Sequence, residues 1–294
     1  MLDLNKLVEQ VKAVVVEAAK FTQVTEFSVC EKEGESYNIV TSADVAVQEF
    51  LQERLPSLVP GSSFQGEEEG WQHGKGEMCW IVDPIDGTAN FSRGMRQSGI
   101  SVAFRTNDGL VLGVVYNPDL KDLFWAIKGG GAYLNGERIS VSKKDFEHSI
   151  LCTALCLYRK NYSKICSDVL FDAYQKCADF RRFGAASLEL CYLAAGRVDT
   201  YFEIRLFPWD FAAAAVILRE AGGVIGTLDW SELGADNSGV TRDFSSGGGA
   251  IRLTTDLVLD GPSTVIAANC CENFHKIGQI VINHMEYFDP KEYN

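Results

Sequence analysis

The run Trp80-Ile81-Val82-Asp83-Pro84-Ile85-Asp86-Gly87-Thr88-Ala89-Asn90-Phe91 constrains this chain more than any other stretch. An apolar block stops at two carboxylates three positions apart, and a glycine and a hydroxyl follow. A buried strand delivers acids in this way to a site at its C-terminal end. Asp, Pro and Gly are also turn formers, so the run by itself fits a plain strand-to-turn transition equally well. The positions of the other acids decide between the two.

The sequence has 294 residues, enough for one large domain or two smaller ones around a continuous core. A net charge of −13, from 27 basic and 40 acidic side chains, argues against a general nucleic-acid binder, which needs a basic face. An acidic chain can still bind phosphate if metal ions invert the local field. No apolar run reaches the roughly 20 residues of a membrane span. The start, Met1-Leu2-Asp3-Leu4, lacks the basic flank and apolar block of a signal peptide. Nine cysteines without a C-x-x-C pair fit reduced thiols better than a disulfide framework. A cytoplasmic protein is expected, with no membrane and no direct nucleic-acid partner.

Leu4, Leu7, Val8, Val11, Val14, Val15 and Ala18 recur at helical steps and predict a first helix. A second is predicted over 43–55, capped by Thr41 or Ser42 and ended by Pro56. Asp44 falls in its first turn, where the helix dipole favours an anion. Strands are expected over 98–106 and 110–117, joined by Asn107-Asp108-Gly109, and over 123–127 and 132–134. Residues 1–145 thus read as an α+β half. Residues 146–294 read as an α/β half, with strands over 150–155, 180–183, 198–203, 224–227 and 264–268 and helices over 187–195, 211–221 and 272–284. The two halves are expected to form one compact unit. Ser245-Ser246-Gly247-Gly248-Gly249 reads as a flexible turn.

Several chemistries are excluded. The four histidines are scattered, without H-E-x-x-H spacing or a cysteine grouping, so a zinc hydrolase is not indicated. No G-x-S-x-G elbow, P-loop or G-x-G-x-x-G turn is present, and Asp83-x-x-Asp86 does not fit an EF-hand loop. What remains is a set of acids from separated stretches: Asp44; Glu67 with Glu68; Asp83 with Asp86; and Asp210 in Pro208-Trp209-Asp210. Asp210 alone fits an ordinary helix cap. Together, converging carboxylates need cations between them, and oxygen donors suit magnesium or manganese.

Gly66-Glu67-Glu68, the run Trp80–Phe91, and Pro208-Trp209-Asp210 with Arg219-Glu220-Ala221-Gly222-Gly223 resemble the three signature blocks of the inositol monophosphatase family. Val40-Thr41-Ser42-Ala43-Asp44 resembles its upstream Thr-x-x-Asp element. The matches occur in order over nearly the whole chain. The resemblance implies a layered αβαβα sandwich of the inositol monophosphatase and fructose-1,6-bisphosphatase type, a lithium-sensitive magnesium-dependent phosphomonoesterase, and a homodimer. It implies two to three Mg2+ ions, with Mn2+ as a substitute. Glu67, Asp83 and the Ile85 carbonyl would hold the first, Asp83, Asp86 and Asp210 the second, and Glu67 a third through water. Thr88, paired with Asp44, would orient and deprotonate the attacking water. The Gly87 and Thr88 amides would receive phosphate oxygens, since glycine permits close approach.

On the substrate side, Glu203 matches the family acid that bonds a ring hydroxyl, and Gly184-Ala185-Ala186 matches its substrate loop. Ala185 stands where many members carry Ser or Thr, which removes a hydroxyl contact. Arg181 could bring charge near the substrate or serve as a sheet-edge arginine. Ala212-Ala213-Ala214-Ala215 replaces the more usual Ala-Gly after Asp210, a change expected to affect helix packing. Many members have Lys about where Glu33 falls, and here Lys32 is one position off. The expected substrate is a small phosphorylated polyol or sugar, first inositol monophosphate. The alternatives are histidinol phosphate, fructose bisphosphate or a phosphoadenosine nucleotide, or a regulatory binding protein that keeps the fold.

Overall fold

In the computed structural model, residues 2–23, 27–31, 39–68, 76–155, 160–229 and 252–285 are described. Helix α1 (Leu4–Ala18) is capped by Asp3, whose carboxylate accepts the Lys6 amide at 3.1 Å. The short strands β1 (Val29–Glu31) and β2 (Ile39–Thr41) pair antiparallel. Helix α2 (Ser42–Leu58) follows and runs past Pro56 instead of ending there. In the final turn the proline removes one hydrogen bond and leaves the following residues free to stay helical.

A seven-stranded sheet comes next, in the order β3-β4-β5-β6-β7-β8-β9. Its members are β3 (Ser63–Gly66), β4 (Cys79–Asp86), β5 (Gly99–Thr106), β6 (Gly109–Asn117), β7 (Asp122–Ile127), β8 (Gly131–Leu134) and β9 (Glu137–Ile139). The four-residue helix α3 (Thr88–Phe91) sits directly after β4. All neighbours are antiparallel except β3 and β4, which run parallel.

The second sheet has the order β11-β10-β12-β15-β13-β14. It is built from β10 (Ile150–Thr153), β11 (Asp179–Arg181), β12 (Thr200–Leu206), β13 (Val224–Asp229), β14 (Arg252–Thr254) and β15 (Ser263–Ala268). Four helices accompany it: α4 (Ser163–Tyr174), α5 (Ala186–Ala194), α6 (Pro208–Glu220) and α7 (Cys271–Asn283). The sheet is mixed: β10 is parallel to β11 and β12, and the other pairs are antiparallel. Helix α4 was not expected from the sequence.

Strand alternation explains the layers. Trp80 and Val82 of β4 pack with Ile100, Val102 and Phe104 of β5 against the apolar faces of α1 and α2. Cys79 and Ile81 turn to the opposite face and pack with α5 and α6. From the second sheet, Tyr201, Val265 and Ala267 meet the same two helices, while Phe202, Ile204, Ile266 and Ala268 face α4 and α7. The order is therefore α, β, α, β, α, the layered sandwich expected. The central pair is apolar almost all round, with every residue of α5 and ten of α6 buried, because sheets cover both sides. Small residues let α6 lie close: a Cβ on Gly113 of β6 would stand 2.2 Å from the Ala213 carbonyl oxygen. Among the described residues, no helix is long and apolar enough to cross a membrane.

Candidate active site

All eight residues of β4 are buried, so its carboxylates are carried into the interior by the strand itself. Residues three apart on a regular strand face opposite sides. Here Asp83 pairs with Ser101 and Asp86 with Gly99, a step of three against two, so a bulge falls at Pro84 and Ile85. Proline is tolerated in a strand at such a bulge, and the extra residue turns both acids toward one site. Asp210 joins them from the first turn of α6. Carboxylate oxygens of Asp83, Asp86 and Asp210 all lie within 4.8 Å of one another.

Each acid is held by a specific donor. The Ile85 amide donates to Asp83 Oδ1 at 3.0 Å. Ser187 donates to Asp86 Oδ2 from its amide at 2.7 Å and its hydroxyl at 2.5 Å. The Phe207 amide donates to Asp210 Oδ2 at 2.7 Å, so Asp210 closes its own helix start as well as joining the cluster. Parallel pairing of β3 with β4 sets Gly66 opposite Val82, and the Glu67 amide donates to the Val82 carbonyl at 3.2 Å. Glu67 therefore stands beside Asp83. Gln48 of α2 secures the neighbouring turn by accepting the Glu68 amide at 3.0 Å. A Cβ on Gly66 would collide with that Gln48 side chain at 2.3 Å.

Burial pushes Asp83 well above the ordinary carboxylate range, and the charges of Glu67, Asp86, Asp210 and Asp44 add to it. Asp86 is pushed up to about 6, by burial first, with the Ser187 hydrogen bonds opposing. Asp210 is raised by burial, then by Glu67 and Asp86. Three acids converging in this way, with Glu67 close enough to raise them further, are costly unless cations lie between them, and an all-oxygen donor set fits a hard divalent ion.

Asp44 is buried at the start of α2, where Oδ2 accepts the Thr41 amide at 2.8 Å and the Thr41 hydroxyl at 2.5 Å. Burial raises its pKa against those hydrogen bonds. Thr88 Oγ1 lies 3.1 Å from Asp44 Oδ1 and 3.0 Å from the Ile85 carbonyl oxygen. Its single proton serves one of these acceptors at a time. Gly87, between Asp86 and Thr88, has φ 84° and caps α3. A Cβ there would sit 2.9 Å from the Gln97 carbonyl oxygen and 3.1 Å from that of Gly184. The glycine is required on both counts.

A cleft opens beside this cluster, lined by Asp86, Gly87, Thr88, Arg182, Gly184, Ala185, Glu189, Glu203, Arg205, Phe207 and Asp210 among others. Glu203 Oε2 accepts the Tyr201 hydroxyl at 2.6 Å. Burial raises Glu203 to about 7. Arg181 is not among the lining residues. It is exposed and bonds Asp179 at 2.5 Å and the Phe180 carbonyl, and the neighbouring Arg182 lines the cleft instead. The sequence reading assigned no part to Asn90, Ser187, Glu189 or Arg205. Asn90 was legible as part of the motif run, and Ser187 and Glu189 as polar residues at the start of a mostly apolar helix. Lys32, Glu33 and the Ser245–Gly249 run lie outside the described residues.

Residues 3–256 match the model of the inositol monophosphatase family. Inositol-1-monophosphatase of Caulobacter vibrioides is 40% identical over 219 residues, 73% of this chain and 85% of that protein. Nus factor SuhB of Escherichia coli (strain K12) is 36% identical over 234 residues, 79% of this chain and 81% of that protein. Among solved structures, an IMPase of Thermotoga maritima superposes with a TM-score of 0.75 at 26% identity, covering 97% of this chain and 100% of its own. The extragenic suppressor protein suhB of Bartonella henselae gives 0.72 at 27% identity, covering 95% and 96%.

Proposed function

The chain belongs to the inositol monophosphatase family, and from that membership we propose that it hydrolyses a small phosphate monoester, inositol monophosphate first, to the alcohol and phosphate. The observation that carries the reading is the convergence of Asp83, Asp86 and Asp210 oxygens within 4.8 Å, beside a cleft containing Thr88 and Glu203. Glu67, Asp83 and the Ile85 carbonyl would hold one Mg2+; Asp83, Asp86 and Asp210 a second; Glu67, through water, a third. When bound, such ions lower the pKa of water and stabilise charge on phosphoryl oxygens.

The chain's own residues do the rest. Thr88 Oγ1 takes a proton from the attacking water as it passes its own hydroxyl proton to Asp44 Oδ1, 3.1 Å away, so Thr88 ends neutral and Asp44 protonated. Asp44 is kept in place for that contact by the two Thr41 donors. With no side chain on Gly87, the Gly87 and Thr88 amides can come close to phosphate oxygens. Glu203 accepts a hydrogen bond from a hydroxyl of the alcohol, and Arg182 supplies positive charge in the cleft, while Arg181 keeps the sheet-edge place that was its other reading. Lithium inhibition, Mn2+ substitution and a homodimer belong to the same reading.

The test is a phosphate-release screen with Mg2+ across inositol, sugar, histidinol and nucleotide phosphates. Release should be fastest from an inositol monophosphate; a clear preference for another ester would move the substrate assignment to that ester. The name Nus factor SuhB, carried by relatives such as the one at 36% identity, favours a second reading, a regulatory binding protein on the same fold. No release from any ester would leave that reading alone.

A further inference from the structure

The Phe183–Ala185 turn, which forms one wall of the cleft, is held from two directions. From the interior, Glu189 Oε1 accepts the Phe183 amide at 2.5 Å and the Gly184 amide at 2.9 Å. From the motif side, Asn90 Nδ2 donates to the carbonyls of Phe183 at 2.6 Å, Gln97 at 2.7 Å and Gly184 at 3.3 Å. Both side chains are buried, Glu189 with 1% of its surface exposed and Asn90 with 8%. Neither takes part in the hydrolytic arrangement above. They grip the backbone of the turn, where Gly184 has φ 82°, and they hold it against Gly87: a Cβ on Gly87 would be 3.0 Å from the Ala185 Cβ.

We propose that Glu189 and Asn90 are a pair of positioning residues that set where the Phe183–Ala185 turn stands over Gly87, and so determine which alcohol the cleft accepts. The inference rests on the phosphomonoesterase reading. Ala185 brings no hydroxyl to the substrate, so on this wall selection falls to the placement of the backbone. A carboxyl group suits the inner side because one oxygen can accept two amides. Burial, then the charge of Glu203, pushes Glu189 up to about 8, so its acid form prevails at neutral pH and glutamine is its near equivalent. Alanine would leave these two half-buried amides without their side-chain acceptor.

The test compares Glu189→Ala, Glu189→Gln and Asn90→Ala with the unsubstituted protein, in Mg2+, on inositol 1-phosphate and on 4-nitrophenyl phosphate, which has no polyol. Loss of the acceptor for two half-buried amides predicts that Glu189→Ala raises KM for the inositol ester about tenfold. Its kcat, and KM for the aryl ester, should stay within about threefold, as expected where alcohol binding common to the ground and transition states is lost. Glu189→Gln should restore KM, and Asn90→Ala should reproduce the rise from the other side if Glu189→Ala fails to fold. Hydrogen exchange at the Phe183 and Gly184 amides should be faster in Glu189→Ala and unchanged in Glu189→Gln. Equal KM changes on both esters, an unchanged KM, or failure of glutamine to restore it would overturn the clamp. If the unsubstituted protein releases no phosphate from either ester, the inositol assignment falls, the wider ester screen decides the phosphatase reading, and the exchange measurement still decides the clamp.

Discussion

Asp86→Asn separates the cost of the acid cluster from its use. In the metal-free protein Asp86 is raised from 3.8 to about 6. The protonated carboxyl therefore favours the folded state, and its contribution is complete below pH 3.8 and lost as pH rises through about 6. About two pKa units correspond to roughly 3 kcal/mol. Asparagine removes the charge, and its Oδ1 can still accept both Ser187 donors. In EDTA at about pH 7.5 the variant should be up to roughly 3 kcal/mol more stable than the unsubstituted protein, and at about pH 4 the gain should almost vanish. Saturating Mg2+ should reverse the order, because the variant loses a ligand and with it the stabilisation by binding. Urea unfolding at both pH values, with EDTA and with Mg2+, measures all of this. A variant no more stable than the parent in EDTA at the higher pH, or equally stabilised at both, would refute the reasoning.

Three further outcomes are expected. Thr88→Ala should lower kcat by about 10²–10⁴, the usual range for a lost proton-transfer group, and a change confined to KM would remove Thr88 from the water. Gly87→Ala should cost roughly 2–5 kcal/mol in chemical denaturation, from about 1–2 for the left-handed backbone and about 1–3 for crowding the Gln97 and Gly184 carbonyls; a loss under about 1 kcal/mol would mean that the turn simply moves aside. Glu203→Gln should change the ranking among phosphate esters more than the Mg2+ requirement. An unchanged ranking in the release screen would contradict its contact with the alcohol.

The acids of the site were legible because residue type carries them: Asp44, Glu67, Asp83, Asp86 and Asp210 stand in recognisable runs. Their convergence was harder to read. A spacing of three has the wrong parity for one face of a strand, and only the bulge at Pro84 and Ile85 brings Asp83 and Asp86 together. Arg181 and Arg182 show the same limit from the other side. Strand β11 ends at Arg181, so the chain leaves its regular path between the two arginines, and nothing local says which of them enters the cleft. Helix α4 carries Ile165, Cys166, Val169 and Ala173 at helical steps with polar residues between them, so its pattern was present in the chain, though short and bounded by no clear cap. Its burial against the second sheet comes from distant strands. Asn90 acts on the backbone of a turn more than ninety residues away, a contact that leaves no pattern in the chain. Glu189 is only five and six residues from the amides it accepts, and nothing but its place at the start of an apolar helix marks it.

The central claim, a metal-dependent phosphomonoesterase, is tested most directly by phosphate release from inositol 1-phosphate in Mg2+ and in EDTA, with Asp83→Asn as control. The account predicts release that requires Mg2+ and falls by at least about a thousandfold in Asp83→Asn, as expected when charge stabilisation at the reacting group is lost. Equal release in EDTA, or an Asp83→Asn variant as active as the parent, would contradict it.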